Sequence, residues 1–438
     1  SSAASDVYKR QVKGRVQVPS SKSMGHRLCL CAGLAGTGSI VDNIALSQDI
    51  EATHRFMQAL GIQIKAVASR IPGRTAFAYD WDGCLPSAAR EADCGESGST
   101  LRFCIPLGAL CNVPFTFRGQ GQLVSRPLEP YYAIFRAQGL TYQTGAEGRL
   151  PLTVNGRLRP GNYTLPGDVS SQFISGLLFA LPLLEKDSLL TILPPLESAA
   201  YIGLTLRSLA RFGIQIRQKD ALHYKIPGKQ RYQAGASRIF VEGDWSQAAF
   251  WLVAGTIGSR EGITCCGLDR DSLQGDKAIL TILSHMGADI IEKDGSVTAQ
   301  PARLAGCEID ASDCPDLVPV LTVAAAVAKG TTHIIHAGRL RIKECDRLNA
   351  MATELNALGA NIQEEPEGLL ITGLDGKLPG GERVDAHNDH RVAMSLAVAA
   401  LACREPIVLT GAESVAKSYP GFWQDYLAVG GRSEIKDE

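Results

Sequence analysis

A helix end followed by a strand recurs at nearly constant intervals along this 438-residue chain. Each copy has an apolar helix end, a glycine and an alternating apolar segment, with the glycines at Gly61, Gly139, Gly213, Gly287, Gly359 and, more weakly, Gly430. Neighbouring glycines lie 71 to 78 residues apart. Glycine is favoured just after a helix because a left-handed backbone costs least without a Cβ. Chance recurrence is the alternative, but near-equal spacing argues against it.

The segments around these glycines predict the same mixed unit each time. Ile62 and Ile64 alternate as strand residues do, and Gln363–Gly368 has the composition of a polar hairpin. Further apolar helices precede the copies, at Arg27–Leu34, Ser171–Leu184 and Trp245–Ala254. We therefore predict an α/β fold built from six βαβαββ units.

The segment Lys229–Arg238 divides the six units into two groups of three. It is rich in Gln, Lys, Arg, Gly and Ser and shows no apolar periodicity, as is typical of a linker. A chain of this length also exceeds what one simple core usually supports. The sequence thus predicts two domains with three units each.

Composition narrows the class of protein further. The net charge is −1, whereas a general nucleic-acid binder needs a broad basic surface. The longest apolar stretches, Leu317–Ala328 and Val392–Cys403, are shorter than the roughly 20 residues that span a bilayer, so we predict buried helices there. Ser1–Gln11 lacks the apolar core of a signal peptide. We expect a cytoplasmic protein with no nucleic-acid or membrane partner.

The twelve cysteines do not form a metal-binding pattern. Cys29 and Cys31, and Cys265 and Cys266, are too closely spaced for a C-x2-C pair, and the sequence contains no such pair. Most cysteines have apolar neighbours, where a free thiol behaves as a small hydrophobe. We predict structural thiols and no metal site.

Basic and small polar residues collect at predicted helix starts in the first half of the chain. Helix N-termini offer free backbone N–H groups to anions, and Lys or Arg nearby adds charge. Plain helix capping with solvated basic residues is the alternative for each segment. The segments contain Lys22, Ser23 and Arg27 before a helix at Leu28–Leu34; Gly98 before a helix at Leu101–Leu110; Arg126 before Pro127; Ser170, Ser171 and Gln172; and Ser198 and Tyr201.

The second half holds denser clusters of charge. Arg339–Leu348 packs six ionised groups ahead of an amphipathic helix, Asn388–Arg391 leads into an apolar helix, and Lys417 lies in a late loop. Asp316 opens the apolar helix 317–328. A structural ion-pair network is the alternative for any one cluster. Together the two halves predict electropositive helix ends facing a cleft that suits small phospho-carboxylates.

Four of these segments resemble the signature segments of the 5-enolpyruvylshikimate-3-phosphate synthase family. They are Lys22–Arg27, Ser170–Gln172, Lys343–Arg347 and Asn388–Arg391, and the similarity runs from about Val12 to Tyr426. The resemblance implies a cofactor-free transferase of the shikimate pathway that joins phosphoenolpyruvate to the 5-hydroxyl of shikimate 3-phosphate and releases phosphate. It also implies a two-domain inside-out α/β barrel, with residues 1–20 joined to 239–438 in one domain and 21–238 in the other. The sequence itself does not determine the oligomeric state, and we expect a monomer.

The family resemblance also implies roles for individual residues. Phosphoenolpyruvate would be held by Lys22, Gly98, Arg126, Gln172, Arg347, Arg391 and Lys417. Shikimate 3-phosphate would be held by Lys22, Ser23, Arg27, Ser170, Ser171, Gln172, Ser198, Tyr201, Asp316, Arg339 and Lys343. The expected proton-transfer groups are Asp316 for the hydroxyl and Glu344 or Lys22 for the methylene carbon, with His390 orienting or relaying.

The chain departs from the family pattern at four positions. Ser20 replaces Gly, Ser99 replaces Thr, Arg339 stands where some members have Asn, and Glu96 stands where Asn is common. Glu96 matters most, because a carboxylate beside the phosphoenolpyruvate site repels substrate unless a cation pairs with it. Cys345, inside the Lys343–Arg347 segment, is expected to be a buried, inert thiol.

Two other functions compete with this interpretation. The related transferase acting on UDP-N-acetylglucosamine is expected to have Asn at the position of Ser23 and a Cys in the loop before Arg126-Pro127, and this chain has neither. A catalytically inactive anion-binding homologue is the second alternative. The presence of Lys22, Asp316 and Glu344 argues against it.

Overall fold

The computed structural model describes residues 4–8, 12–36, 38–234 and 237–436. Parts of Ser1–Gln11 and two residues of the predicted linker, 235 and 236, lie outside these ranges. The chain divides into two compact units, Ser20–Val241 and a discontinuous unit formed by Ser1–Pro19 with Glu242–Glu438. They are called the contiguous unit and the discontinuous unit below.

Twelve α-helices occur in the described ranges. They are α1 Lys22–Leu34, α2 Gln48–Ala59, α3 Gly98–Gly108, α4 Glu129–Gln138, α5 Ser171–Ala180, α6 Ala199–Arg211, α7 Trp245–Ile257, α8 Ile279–His285, α9 Val318–Val327, α10 Arg347–Ala357, α11 His390–Leu401 and α12 Phe422–Ala428. Within the described part of the chain, no helix has both the length and the apolar character needed to cross a membrane.

The strands fall into the same two units. The first two, both in the discontinuous unit, are β1 Ala4–Tyr8 and β2 Val12–Gln17. The contiguous unit holds β3 Ser39–Ile44, β4 Gln63–Ala68, β5 Thr75–Asp80, β6 Arg90–Asp93, β7 Phe115–Arg118, β8 Thr141–Thr144, β9 Leu152–Asn155, β10 Asn162–Pro166, β11 Ser188–Leu193, β12 Arg217–Gln218, β13 His223–Ile226 and β14 Arg238–Phe240. The discontinuous unit continues with β15 Ser259–Cys266, β16 Asp289–Lys293, β17 Ser296–Gln300, β18 Glu308–Asp310, β19 Lys329–Ile335, β20 Asn361–Glu365, β21 Gly368–Leu374, β22 Leu378–Gly380, β23 Arg383–Asp385, β24 Cys403–Glu405, β25 Ile407–Thr410 and β26 Arg432–Lys436.

Each unit contains three four-stranded sheets with one shared topology. In the contiguous unit the orders are β14-β3-β5-β4, β6-β7-β9-β8 and β10-β11-β13-β12. In the discontinuous unit they are β2-β15-β17-β16, β18-β19-β21-β20 and β23-β25-β1-β26, and β22 and β24 form a separate pair. In every four-stranded sheet the first pair is parallel and the next two are antiparallel.

This architecture confirms the predicted α/β fold of six βαβαββ units. The six repeat glycines all adopt a left-handed backbone, with φ between +69° and +97°. Each follows the end of an outer helix, in the order α2, α4, α6, α8, α10 and α12, and precedes a strand. The glycine requirement therefore arises from the same turn in all six units.

The other six helices form the two cores. In the contiguous unit α1, α3 and α5 are almost wholly buried, and in the discontinuous unit α7, α9 and α11 are. Such helices are apolar all round because sheets or helices cover every face. Lys22, Gly98, Ser171 and His390 occupy the first turn of four of them, so the fold places the predicted ligand residues at the N-termini of buried helices.

Several predicted boundaries were wrong, including the end of α5, which lies at Ala180 instead of Leu184. Helix α1 begins at Lys22 instead of Leu28, and α3 begins at Gly98 instead of Leu101. Serine caps explain the difference: the Ser21 hydroxyl accepts from the Met24 amide at 3.3 Å, and Ser97 caps α3 in the same way. The polar first turns lack apolar periodicity, so the sequence pattern does not distinguish them from a loop. Strand β20 also runs to Glu365, which leaves a two-residue turn where a longer hairpin was predicted.

Candidate functional site

The guanidinium of Arg347 lies at the centre of the charged cluster in the discontinuous unit. Its side chain is only 2% exposed, and three carboxylates surround it. Nε donates to Asp389 Oδ2 at 2.7 Å, Nη1 to Asp316 Oδ1 at 3.0 Å and Nη2 to Glu344 Oε2 at 2.8 Å. Arg347 opens α10, so this helix start fixes the positions of all three carboxylates.

Asp316 lies between two arginines. Besides Arg347, it accepts from Arg391 Nη2 through Oδ2 at 2.9 Å, and its backbone oxygen accepts from Arg391 Nη1 at 3.2 Å. Burial raises the pKa of Asp316, but the charges of Arg391, Lys343 and Arg347 outweigh burial and hold the pKa below its ordinary value. Asp316 is therefore ionised near neutral pH.

Asp389 links the two arginines through its position at the start of α11. It is fully buried and caps the helix by accepting from the Arg391 amide at 2.7 Å, while it also holds Arg347. The Arg391 side chain reaches Ser246 Oγ on α7 at 3.0 Å. Buried helices α7, α9 and α11 consequently meet through their N-terminal residues at this cluster.

Lys343 carries a perturbed ammonium group beside the same carboxylates. Burial lowers its pKa to about 8, Asp316 opposes that change, and the charges of Arg347 and Arg339 reinforce it. Arg339 is close by and donates from Nη2 to the Ser312 backbone oxygen. The Lys343 ammonium can therefore lose its proton just above neutral pH.

His390 belongs to the Asn388–Arg391 segment, and Lys417 bonds to the first residue of that segment. Lys417 Nζ donates to the Asn388 backbone oxygen at 2.7 Å, and its residue is only 8% exposed. His390 is buried, with Nδ1 at 3.9 Å from Asp389 Oδ1, which is too long for a hydrogen bond.

Cys345 lies in the same segment as Arg347. Its Sγ is 3.7 Å from Asp389 Oδ2, and burial together with the Asp389 charge raises the thiol pKa. A protonated thiol is a poor nucleophile, so the environment is that of an inert cysteine.

In the contiguous unit, Lys22 forms an ion pair across two helix starts. Its Nζ lies 2.8 Å from Asp49 Oδ2, and the two side chains are 16% and 14% exposed. Lys22 is the first residue of α1, and Asp49 lies in the first turn of α2. The ammonium is therefore held at the helix ends before any anion binds.

Arg27 is buried and bonded on all three nitrogens. Nε donates to Thr205 Oγ1 at 2.8 Å, Nη1 to the Ser23 backbone oxygen at 2.8 Å and Nη2 to the Tyr201 backbone oxygen at 3.0 Å. Burial lowers its pKa to about 10. Ser198, which precedes α6, has a left-handed backbone with φ +57° and is buried. Arg27 thus ties α1 to the start of α6.

Gln172 is fixed by two partners from α3. Its Oε1 accepts from Arg102 Nη1 at 2.8 Å, and its Nε2 donates to Ser99 Oγ at 2.9 Å. Ser170 caps α5, with Oγ accepting from the Gln172 amide at 3.3 Å, and Ser171 is buried in the first turn. The α3 and α5 helix starts therefore form one polar surface.

Gly98 and Arg126 approach each other closely. A Cβ on Gly98 would lie 2.6 Å from Arg126 Nη1, so only glycine fits this guanidinium in its present place. Glu96 lies against the next loop, its carboxylate carbon 2.8 Å from where a Gly121 Cβ would be. The Glu96 side chain therefore packs against the start of the short 3-10 helix Gly121–Ser125, which directly precedes Arg126 in the chain.

Sequence reasoning overlooked several residues of these two clusters. The sequence pattern alone predicts no role for Asp49 or Arg102, and it includes Asp389 only as a member of the Asn388–Arg391 segment. An acidic residue in the first turn of α2 and a buried arginine one turn after Gly98 were the available signals. Among the described residues, no group of three or more His, Cys, Asp or Glu side chains is arranged to hold a metal ion.

The buried helices carry arginines, lysines and carboxylates at their N-termini. Basic residues at helix N-termini are typical of proteins that bind small anions. The chain belongs to the EPSP synthase (3-phosphoshikimate 1-carboxyvinyltransferase) family, whose model matches residues 8–426. This confirms the family that the sequence resemblance implied.

Individual relatives agree with the family match. The chain is 47% identical to the 3-phosphoshikimate 1-carboxyvinyltransferase of Clostridium kluyveri over 96% of both chains, and 44% identical to that of Clostridioides difficile over 97% of both. Among solved structures it is similar to EPSP synthase from Acinetobacter baumannii, with a TM-score of 0.82, 26% identity and full coverage of both chains. The enolpyruvyl transferase NikO from Streptomyces tendae shares the fold, with a TM-score of 0.77, 19% identity and 99% coverage of both chains.

Proposed function

We propose that this chain transfers the enolpyruvyl group of phosphoenolpyruvate to the 5-hydroxyl of shikimate 3-phosphate and releases phosphate. The names of its relatives support this reaction. The observation that carries the proposal is the Asp316 carboxylate held between Arg347 and Arg391, with Glu344 on the same Arg347. One cluster then offers cations for anionic substrates and carboxylates for proton transfer.

Under this proposal, each predicted ligand residue binds phosphoenolpyruvate, shikimate 3-phosphate or both. The groups for phosphoenolpyruvate are Lys22, Gly98, Arg126, Gln172, Arg347, Arg391 and Lys417. The groups for shikimate 3-phosphate are Lys22, Ser23, Arg27, Ser170, Ser171, Gln172, Ser198, Tyr201, Asp316, Arg339 and Lys343. Arg27 is also expected to hold the start of α6, because three of its five N–H donors already bond within the protein.

The reaction needs two proton transfers. Asp316 takes the proton of the 5-hydroxyl as that oxygen attacks C2 of phosphoenolpyruvate, and Glu344 or Lys22 gives a proton to the methylene carbon. The pKa of Asp316 is too low for a good base while two arginines hold it. We infer that the arginines shift their hydrogen bonds toward the substrate, which raises the proton affinity of Asp316 when it is needed.

The second half of the reaction expels phosphate from the tetrahedral intermediate. Lys22, Arg126 and Lys417 are assigned to the negative charge that develops on the departing group. A cation lowers the barrier to phosphate departure most when it is already in place and does not have to move during the reaction. Lys417 is bonded to the Asn388 backbone and Lys22 to Asp49, so both ammonium groups are already positioned. His390 is assigned to orienting its neighbour Arg391.

Phosphate release from phosphoenolpyruvate tests the proposal directly. The purified chain is assayed in a chelating buffer with shikimate 3-phosphate and, separately, with UDP-N-acetylglucosamine. Release only with shikimate 3-phosphate is the expected result and also shows that no free metal ion is needed. Release only with the sugar nucleotide would overturn the acceptor, and release with neither would favour an inactive homologue.

The domain division, the oligomeric state and the location of the protein belong to the same proposal. We propose that residues 21–238 and residues 1–20 with 239–438 form two domains, and that the enzyme acts as a monomer in the cytoplasm. The two compact units support the domain assignment. Limited proteolysis should cut between units before it cuts within them, and sedimentation should give the mass of a single 438-residue chain.

A further inference from the structure

Two consecutive residues next to the charged cluster have an uncommon backbone. His387 and Asn388 have φ values of +51° and +53°, in the left-handed region that L-residues seldom occupy. They lie between strand β23 and helix α11, directly before Asp389. Such a pair persists only where surrounding contacts hold it in place.

Glu354 on α10 supplies these contacts. Its Oε1 lies 2.7 Å from His387 Nε2, and its Oε2 accepts from the Asp385 amide at 3.0 Å. The Asp385 carboxylate in turn accepts from the His387 amide. The Glu354 side chain is only 10% exposed and that of His387 34%. The Glu354 carboxylate therefore binds this turn through both the His387 imidazole and the Asp385 backbone N–H.

The turn is held from the same helix at a second point. Arg347 lies seven residues before Glu354, about two helical turns away and so on the same side of α10. Arg347 holds Asp389, while Glu354 holds His387. Between these two points, the Asn388 backbone oxygen accepts from Lys417 Nζ at 2.7 Å. The backbone of residues 386–389 thus sets where the Lys417 ammonium lies.

We propose that Glu354 and His387 are positioning residues for the proposed reaction, and that their contact holds Lys417 and Arg347 in place for phosphoenolpyruvate. The inference rests on the proposed function. Neither residue needs to touch substrate, because the effect passes through the turn that both residues fix.

The contact also makes substrate binding depend on pH. The charged groups facing His387 are Glu354 on α10, Asp385 at the end of β23 and Asp389 at the start of α11. The hydrogen bond that His387 Nε2 donates to the Glu354 carboxylate raises the pKa of His387 above its ordinary value, burial opposes this, and the other acidic charges add to it. The imidazolium is present below that raised pKa, and the charge-assisted contact is lost as pH rises through it.

Steady-state kinetics of Glu354→Gln, His387→Gln and His387→Asn test the proposal. Gln keeps an amide donor at His387 but does not titrate, and Asn tolerates the left-handed backbone but is too short to reach Glu354. Losing a buried, charge-assisted hydrogen bond should raise KM for phosphoenolpyruvate roughly tenfold in Glu354→Gln and His387→Asn. KM for shikimate 3-phosphate should change less than about twofold. The rise of KM for phosphoenolpyruvate at alkaline pH should disappear in His387→Gln.

A second His–Glu pair provides the control. His333 Nε2 lies 2.8 Å from Glu365 Oε2 in the same unit. The two histidines are about equally exposed, but the Glu365 side chain is 35% exposed where that of Glu354 is 10% exposed. Glu365→Gln should leave both KM values unchanged. If Glu354→Gln and His387→Asn change KM for phosphoenolpyruvate no more than this control, the proposal is wrong.

Two measurements separate this inference from the proposed function. The titration of His387 by NMR should give a lower pKa in Glu354→Gln than in the unaltered chain, and equal values would overturn the contact. Calorimetric binding of inorganic phosphate should weaken roughly tenfold in Glu354→Gln. An unaltered chain that released no phosphate from phosphoenolpyruvate would refute the proposed function alone, whereas unchanged phosphate binding in Glu354→Gln would refute the positioning role.

Discussion

Arg391 donates to Asp316 twice, from Nη2 to the carboxylate at 2.9 Å and from Nη1 to the backbone oxygen at 3.2 Å. Asp316→Asn keeps the shape and one acceptor but removes the charge. We expect turnover to fall about a hundredfold or more, as is usual when a general base is removed. The rate of phosphate release measures turnover. Asp313→Asn is the control, because Asp313 lies three residues earlier and is exposed. Near-normal turnover in Asp316→Asn would rule out Asp316 as the base.

Replacing Arg347 by lysine should affect stability as well as activity. Lysine keeps the positive charge, but one ammonium cannot reach Asp389, Asp316 and Glu344 together, so at least one carboxylate loses its hydrogen-bonded partner. We expect the free energy of unfolding to fall by about 1.5 to 3 kcal/mol. Urea denaturation measures this change. Arg341→Lys, at a half-buried arginine paired with Asp346 and Glu364, should cost less than about 1 kcal/mol. Equal losses would contradict the central role of Arg347.

The lowered pKa of Lys343, about 8, predicts an alkaline limit to shikimate 3-phosphate binding. As pH rises through this value the ammonium loses its charge, so kcat/KM for shikimate 3-phosphate should fall. Lys343→Arg should remove that limit because arginine stays protonated. Profiles from pH 6.5 to 9.5 would show the difference, and an unshifted limit in the variant would assign it to another group.

Lys343 has an opposite consequence for folding. Its pKa in the folded chain lies below the ordinary lysine value, so between the two values the unfolded chain binds more protons. This one group should therefore make the fold more stable as pH rises through that window. Comparing urea midpoints of the unaltered chain with those of Lys343→Met, which never titrates, isolates the contribution.

The Gly98–Arg126 contact predicts a selective defect in binding. The Cβ of Gly98→Ala would lie 2.6 Å from Arg126 Nη1, so the guanidinium must move. We expect KM for phosphoenolpyruvate to rise roughly tenfold because a charged hydrogen bond is lost or misplaced. Gly203→Ala on α6 is a matched control, since its Cβ would meet no atom within 4 Å. If the two variants behave alike, the close approach has no role in binding.

The Lys22–Asp49 ion pair predicts that Asp49 affects activity, although Asp49 itself is not expected to bind a substrate. Asp49 orients the ammonium that is proposed to bind both substrates. Asp49→Ala should lower kcat/KM for phosphoenolpyruvate about tenfold, as loss of a partly buried charged partner does. Glu51→Ala, two residues later and exposed, should change nothing. A normal Asp49→Ala enzyme would show that Lys22 needs no orienting partner.

Sequence reasoning could predict the repeat because the repeat is local. Gly61 and its five counterparts combine a helix end, a positive φ and a strand within a few residues. Helix starts such as Ser170 and Asp389 are also local signals and can be predicted from the sequence. The start of α1 could not, because its first turn at Lys22 is polar.

Pairings between distant residues could not be predicted in the same way. Asp49 lies 27 residues from Lys22, and His387 lies 33 residues from Glu354. Nothing in a single sequence joins these partners, because their contact follows from how whole helices pack. The paired left-handed residues His387 and Asn388 have no glycine to indicate them, so this turn was also hidden.

The strand pairing of the two units has a consequence for synthesis on the ribosome. Every strand of the contiguous unit, including β14, lies between residues 20 and 241, so this unit can finish folding once that stretch has emerged. Strand β2 emerges earlier, yet its partner β15 begins only at Ser259, and the partners of β1 come still later. These early strands must wait with open edges while a complete unit folds behind them. The interval is when a nascent chain of this kind is most exposed to aggregation and most in need of a chaperone.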